Sequence, residues 1–335
     1  MKKLRIIALV QLCMCLPMAG SGWTLTYSDL IVFGDSLSDT GNVARLTGGF
    51  IPPPPYYEGR FTNGPNYIDY MAAALSHDAV PYLAGGYNFA FGGARTSLRQ
   101  QDPSFSVLGQ VALYQASARA ADPNALYVVF AGSNNLVDVV PQVASQPNGS
   151  AIGTQAVQRT IGDIAQSLNT LKGMGARHVL VPNAPNLGLV PQVMNQGPQT
   201  SAVATALSQS FNLTLDTVLN GETALDIKRL DTFSLLNKVA ADPASFGFSN
   251  ATSPCYSGNV TSFYQSSSVC SSPNLFLYWD GLHPTTAGHA LLANAAINAV
   301  VVNPEPATWT LLSLGLAGLA MRQAFNKKQR DTKQG

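Results

Sequence analysis

Charge is scarce in this chain. Only 11% of its 335 residues are Asp, Glu, Lys or Arg, against 46% hydrophobic residues. That balance excludes global disorder, supports a large buried core, and is low for a cytosolic enzyme. Net charge is +1, but the ends conceal an asymmetry. Lys2, Lys3, Arg5, Arg322, Lys327, Lys328, Arg330 and Lys333 supply eight of the 19 basic residues. Setting these and Asp331 aside leaves eleven basic residues against seventeen acidic ones, a body near −6. A mildly acidic body gives no electrostatic reason to bind nucleic acid. Metal-binding patterns are missing too. There is no His-Glu-x-x-His and no Cys/His cluster of zinc spacing, so neither metal nor cofactor is expected. No internal repeat is found.

Cysteine is the next scarcity, at four residues. Cys13 and Cys15 fall in an apolar stretch, residues 6–18, between basic Lys2, Lys3 and Arg5 and the small residues Ala19-Gly20-Ser21-Gly22. This reads as a signal peptide over residues 1–22, cleaved near 20–23 by signal peptidase. Cys255 and Cys270 then remain in an exported chain. They invite one disulfide across the Ser-, Thr- and Gly-rich loop at 249–272, the other arrangement being two free buried thiols.

The length suits one large α/β domain plus terminal signals, or two small domains. Apolar runs of strand length occur at 30–33, 125–131 and 178–181, each ending in turn-forming residues. Between them lie helical patterns. Ile152, Val157, Ile161, Ile164, Leu168 and Leu171 recur at spacings of three to five and stop at Gly173 and Gly175. Residues 200–219 and 285–302 also read as helices. Strand–helix alternation predicts a three-layer α/β/α sandwich around a mostly parallel sheet. Ligands of such sheets bind beyond the carboxyl ends of the strands. Residues 51–57, Ile-Pro-Pro-Pro-Pro-Tyr-Tyr, cannot be helix and predict an extended rim loop.

Four short blocks carry chemistry. Gly34-Asp35-Ser36-Leu37-Ser38 follows the first apolar run. Asn88-Phe89-Ala90-Phe91-Gly92-Gly93-Ala94 comes next. Gly132-Ser133-Asn134-Asn135 closes another run, and Asp280-Gly281-Leu282-His283-Pro284 comes last. Together they supply a nucleophile, oxyanion donors and an acid–base pair. Any one block alone also has a plain structural reading, such as a helix cap or a tight turn. In this order they resemble the GDSL, or SGNH, family of esterases and lipases. Gly59-Arg60-Phe61-Thr62-Asn63-Gly64 resembles a further segment of that family. The competing serine-hydrolase signature, Gly-x-Ser-x-Gly, has only the near miss Gly247-Phe248-Ser249-Asn250-Ala251, with no strand before it.

The resemblance implies a hydrolase domain over residues 28–302 that cleaves carboxylic esters through an acyl-enzyme. Ser36 would be the nucleophile, His283 the general base and Asp280 its partner. Backbone N–H groups of Ser36 and Gly93 and the Asn134 side chain would form the oxyanion hole. Asn135 departs from the family's usual Asp and removes a charge from that loop. Asp35 and Asp39 read as structural, as do His77, His178 and His289. Asn303-Pro304-Glu305-Pro306, a charge-free span at 307–321 and a basic end resemble the PEP-CTERM sorting signal. That signal, residues 303–335, implies an exosortase-type protease, transient membrane contact, and a place at the surface or matrix of a bacterium with an outer membrane. The expected substrate is a lipid, a short-chain acyl ester or an acylated glycan. A polysaccharide acetylesterase and a non-catalytic surface protein on the same scaffold are the alternatives.

Overall fold

The expected strand runs become neighbours in one sheet. The computed structural model describes residues 26–301 apart from 98–104, 118–119, 259 and 262–266. The expected signal peptide and sorting signal lie outside the described residues. Strands β1 (Leu30–Gly34), β2 (Leu126–Phe130) and β3 (His178–Pro182) pair in parallel, with β4 (Asp226–Leu230) next to β3. Strands covered on both faces read as continuous apolar runs, because neither side meets water. Every residue of β1 and β2 is buried accordingly. The sequence reading has no counterpart for β4. Its sequence is Asp-Ile-Lys-Arg-Leu and only Leu230 is fully buried, so no apolar run announces it. Charge on such an end strand also discourages pairing with another chain.

On the free side of β1 the chain adds one more rung. Val32 N–H donates to Tyr87 O (3.1 Å), Phe89 N–H to Val32 O (2.7 Å) and Phe91 N–H to Gly34 O (3.2 Å). Asn88 thus runs parallel to β1 as an isolated bridge.

The α-helices follow in chain order. They are α1 (Asn42–Leu46), α2 (Tyr67–Leu75), α3 (Val107–Ala116), α4 (Ser133–Ser145) and α5 (Gly149–Met174), then α6 (Pro191–Met194), α7 (Pro198–Gly221), α8 (Thr232–Ala241) and α9 (Thr286–Val300). Strand side chains alternate between two faces. Ile31, Phe33, Tyr127 and Val129 pack with Val111, Leu136, Ile161 and Phe211 of α3, α4, α5 and α7. Leu30, Val32, Leu126 and Val128 pack with Ile68 and Met71 of α2 and Ala293 and Ala296 of α9. The result is a three-layer α/β/α fold. Each large apolar side chain so buried is worth about 1.5–3 kcal/mol.

Helix α5 ends on Gly175 in the left-handed conformation; α7 covers the stretch read as helical at 200–219, and α9 accounts for residues 286–300 of the stretch read as 285–302. One local expectation needs correction. Residues 249–272 are not all loop: β5 (Asn250–Pro254) pairs in parallel with β6 (Phe276–Tyr278). Only Ala251 of β5 is buried, so its residues show no periodicity. The first helix, α1, begins only at Asn42, beyond the turn that carries Ser36.

Candidate active site

Gly34 ends β1 and the chain turns at once. Ser38 and Asp39 N–H both donate to Asp35 O at 3.0 Å, and Leu37 N–H donates to Asp35 Oδ1 at 3.0 Å. This turn holds Ser36 just past the carboxyl end of the strand. Asp39 ties it to the second block. Its carboxylate accepts from the N–H groups of Gly41 (2.7 Å), Asn42 (2.6 Å), Val43 (3.2 Å) and Gly92 (2.9 Å). Burial raises both Asp35 and Asp39 to about 6, despite backbone donors that favour the charged form.

Gly92 and Gly93 need to be glycine for different reasons. A Cβ on Gly92 would lie 2.2 Å from the Phe61 ring. Gly93 has φ +78, where L side chains are strained. Arg95 braces this turn. Its guanidinium donates to Gly93 O at 2.6 Å and makes a two-pronged pair with Asp138. The third block arrives at the start of α4. Asn134 Nδ2 donates to Ala94 O at 2.9 Å and lies 3.5 Å from Asp35 Oδ2. The Asn134 amide therefore reaches toward both the Ser36 and the Gly93 turns. Ser36 N–H and Gly93 N–H donate to no group among the described residues, which leaves both amides available to an incoming oxyanion. Asn135 orders its loop without charge. Thr96 N–H donates to Asn135 Oδ1 (3.0 Å), Asn135 Nδ2 donates to Thr96 Oγ1 (3.2 Å), and Thr96 Oγ1 donates to Asp163 (2.7 Å). The negative charge stands one hydrogen bond further out.

The fourth block is the loop between β6 and α9. Asp280 Oδ1 accepts from Leu282 N–H (2.8 Å) and His283 N–H (2.7 Å). Asp280 Oδ2 lies 2.7 Å from His283 Nδ1, and His283 Nε2 lies 2.8 Å from Ser36 Oγ. The carboxylate partner assigns the ring proton to Nδ1 and leaves Nε2 to accept from serine. All three are buried, at 7% exposure for Ser36, 6% for Asp280 and 5% for His283. Burial alone would raise the Asp280 carboxyl. The neighbouring His283, with hydrogen bonds from His283 and Tyr56, holds it below the usual carboxylate range. Asp280 does not cap α9; Thr285 does, accepting from Gly288 N–H.

Sequence reasoning missed Tyr56 and Phe61. Residues 51–57 avoid helix as expected, but they do not form a mere rim. Tyr56 is buried, and its hydroxyl donates to Asp280 Oδ2 at 2.5 Å. The Phe61 ring lies 5.4 Å from the His283 ring. Thr62 Oγ1 donates to Pro284 O and Thr286 N–H to Asn63 Oδ1, both at 2.8 Å. The signal that could have found Phe61 is the Gly59–Gly64 segment itself, an aromatic and polar run that composition alone assigns to a surface loop; Tyr56 lies before that segment and has no such signal.

Cys255 and Cys270 are disulfide-bonded. Cys255 N–H donates to Tyr278 O (3.0 Å) and Tyr256 N–H to Trp279 O (2.6 Å). The staple therefore sits beside β6, the strand that leads into Asp280. The remaining histidines stand apart from Ser36. His289 accepts from Tyr67 N–H (3.3 Å) and is held neutral, pushed down to about 3 by burial and by His283. His178 pairs with Asp226 at 2.9 Å, and His77 bonds Tyr27 O at 2.8 Å.

Comparison with known proteins bears on this geometry. The family described as GDSL-like lipase/acylhydrolase matches residues 30–296. A GDSL esterase/lipase of Arabidopsis thaliana is 26% identical over 319 residues, covering 79% of this chain and 85% of that protein. Esterase EstA of Pseudomonas aeruginosa is 29% identical over 314 residues, covering 80% of this chain. The chain spans only 46% of EstA's length. An extracellular lipase of Streptomyces rimosus has a similar structure, with a TM-score of 0.46 and 15% identity over 82% of this chain and 99% of the lipase.

Proposed function

Because the chain is an ester hydrolase of the GDSL-like lipase/acylhydrolase family, we propose that it is an exported serine esterase working through an acyl-enzyme on Ser36. The observation that carries this reading is the chain of contacts from Ser36 Oγ to His283 Nε2 (2.8 Å) and from His283 Nδ1 to Asp280 Oδ2 (2.7 Å). Ser36 Oγ attacks the ester carbonyl carbon as its proton passes to His283 Nε2. Asp280 steadies the imidazolium that forms. The carbonyl electrons move onto oxygen, where the N–H groups of Ser36 and Gly93 and the Asn134 amide meet them. The intermediate collapses, and the alcohol leaves with the proton from Nε2. Water then repeats the sequence on the acyl-enzyme and frees the acid. General acid–base transfer supplies about 10²–10⁴-fold, and each oxyanion donor about 10²–10³-fold.

Tyr56, Asp280, Leu282 and His283 border an open cleft of about 540 Å³, and the substrate is assigned to it; a smaller apolar cavity of about 100 Å³ that Leu37 and Leu282 help to line is bordered by neither Ser36 nor His283. Leu37 follows Ser36, and Leu282 precedes His283. The openness of the cleft beside His283 supports a second reading, removal of acetyl groups from a surface polysaccharide, because a bulky alcohol moiety has room there. Export is inferred from residues 1–22. Delivery to the surface of a bacterium with an outer membrane, after exosortase-type processing, is inferred from residues 303–335.

The test combines p-nitrophenyl esters of increasing chain length with acetylated xylan and a fluorophosphonate probe. Wild type should label and hydrolyse these esters, and Ser36→Ala should do neither. More than about a tenth of wild-type turnover in Ser36→Ala would sink the nucleophile assignment, because loss of a nucleophile costs many orders of magnitude.

A further inference from the structure

We propose that Tyr56 is a positioning residue for the acid–base pair: its phenol fixes the Asp280 carboxylate and, through it, the ring of His283. The proposal rests on the roles given to Asp280 and His283 above. Each oxygen of Asp280 has two donors. Oδ1 takes the backbone N–H groups of Leu282 and His283, which belong to the same loop. Oδ2 takes two side chains, His283 and Tyr56. Without Tyr56 the oxygen that orients the imidazole would be held only by the imidazole. Among the described residues Tyr56 is the one donor from outside the loop, 224 residues away in sequence.

The phenol is itself held before substrate arrives. Its ring stands edge-on to Tyr256 (5.5 Å, 87°) and to Trp279 (6.1 Å, 85°). Tyr256 and Trp279 stack at 5.3 Å, in a buried cluster that includes Cys255 of the disulfide. Tyr56 N–H donates to Pro53 O at 3.0 Å, and Tyr57 N–H to Thr62 O at 2.8 Å. Its rotamer freedom is therefore already lost on folding, and the bond to Asp280 adds no ordering cost during the reaction. Burial and the Asp280 charge push Tyr56 ionisation far up, so it stays a neutral donor throughout the working pH range.

A positioning role predicts a split that packing does not. Tyr56→Phe keeps the ring and removes only the donor. We expect kcat on p-nitrophenyl butyrate to fall about tenfold with KM within twofold, in a protein that stays folded by circular dichroism. In an Asp280→Ala background the same change should alter the rate of fluorophosphonate labelling by less than twofold, because the phenol no longer has a carboxylate to hold. In a His283→Ala background the change should likewise alter labelling by less than twofold, because the carboxylate that the phenol holds then has no imidazole to position. Tyr256→Phe, which alters the neighbouring ring, should leave kcat within twofold. An equal loss in wild-type and Asp280→Ala backgrounds overturns the proposal. So does a loss confined to KM, an unchanged kcat, or unfolding of Tyr56→Phe. Activity retained in Ser36→Ala would instead count against the nucleophile assignment, so the two failures are distinguishable.

Discussion

Asn134→Ala separates two jobs of one side chain. One N–H of its amide donates to Ala94 O at 2.9 Å. The nearest other acceptor, Asp35 Oδ2, is at 3.5 Å, too long for a good hydrogen bond. The second N–H is therefore only weakly held, and it is the one proposed to meet the oxyanion. Losing the Ala94 bond should cost about 1 kcal/mol of stability. The Gly93 turn should survive, because Arg95 grips Gly93 O and Asp138 independently, and Asp39 holds Gly92. Losing the oxyanion donor should cost about 2.7–4 kcal/mol in the transition state, or 10²–10³ in kcat. The two costs appear in different measurements. Urea unfolding should show a small drop in midpoint. Steady-state kinetics on p-nitrophenyl butyrate should show the large drop in kcat, with KM nearly unchanged. An effect confined to KM would reassign Asn134 to substrate positioning. A kcat loss under tenfold would remove it from the oxyanion hole.

Further outcomes follow from the same geometry. Replacing Cys255 and Cys270 by Ser opens a loop with a sequence separation of 15 and should cost about 3 kcal/mol by urea unfolding; an unchanged midpoint would show that the staple contributes nothing. Asp35 and Asp39 stand at about 6 in the fold, above the unfolded value near 3.9. Their contribution to stability is thus full below about pH 4 and is lost as pH rises through 6. Asp280, held low, acts oppositely: its contribution is present above about pH 4 and is lost as pH falls further. Unfolding free energies from pH 4 to 7 should therefore fall more steeply in wild type than in Asp35→Asn, and parallel curves would refute the burial argument. Truncation after Val302 should keep activity per folded molecule while misplacing the protein in its host; loss of both fold and activity would show that the tail belongs to the core.

The sequence by itself determined the features that are local. The interior strands are legible because burial on both faces demands continuous apolar runs, as in Leu30-Ile31-Val32-Phe33. Helix α5 is legible because its apolar residues share one face and a glycine ends it. Ser36, Gly93, Asn134, Asp280 and His283 could be singled out because each sits in a short block whose residue types suit one chemistry. Tertiary structure decided what depends on distant neighbours. β4 and β5 show no apolar pattern because so little of either is buried, so only their pairing defines them. Asn88 lies beside β1 through backbone hydrogen bonds, which any sequence can make. Asp39 looks like a local helix charge, yet one of its oxygens holds Gly92, 53 residues on. Tyr56 meets Asp280 only because the proline-rich loop folds inward over the disulfide-linked aromatic cluster. A tyrosine hydroxyl carries no mark in sequence of the acceptor it will find, and the chain must fold before that partner exists.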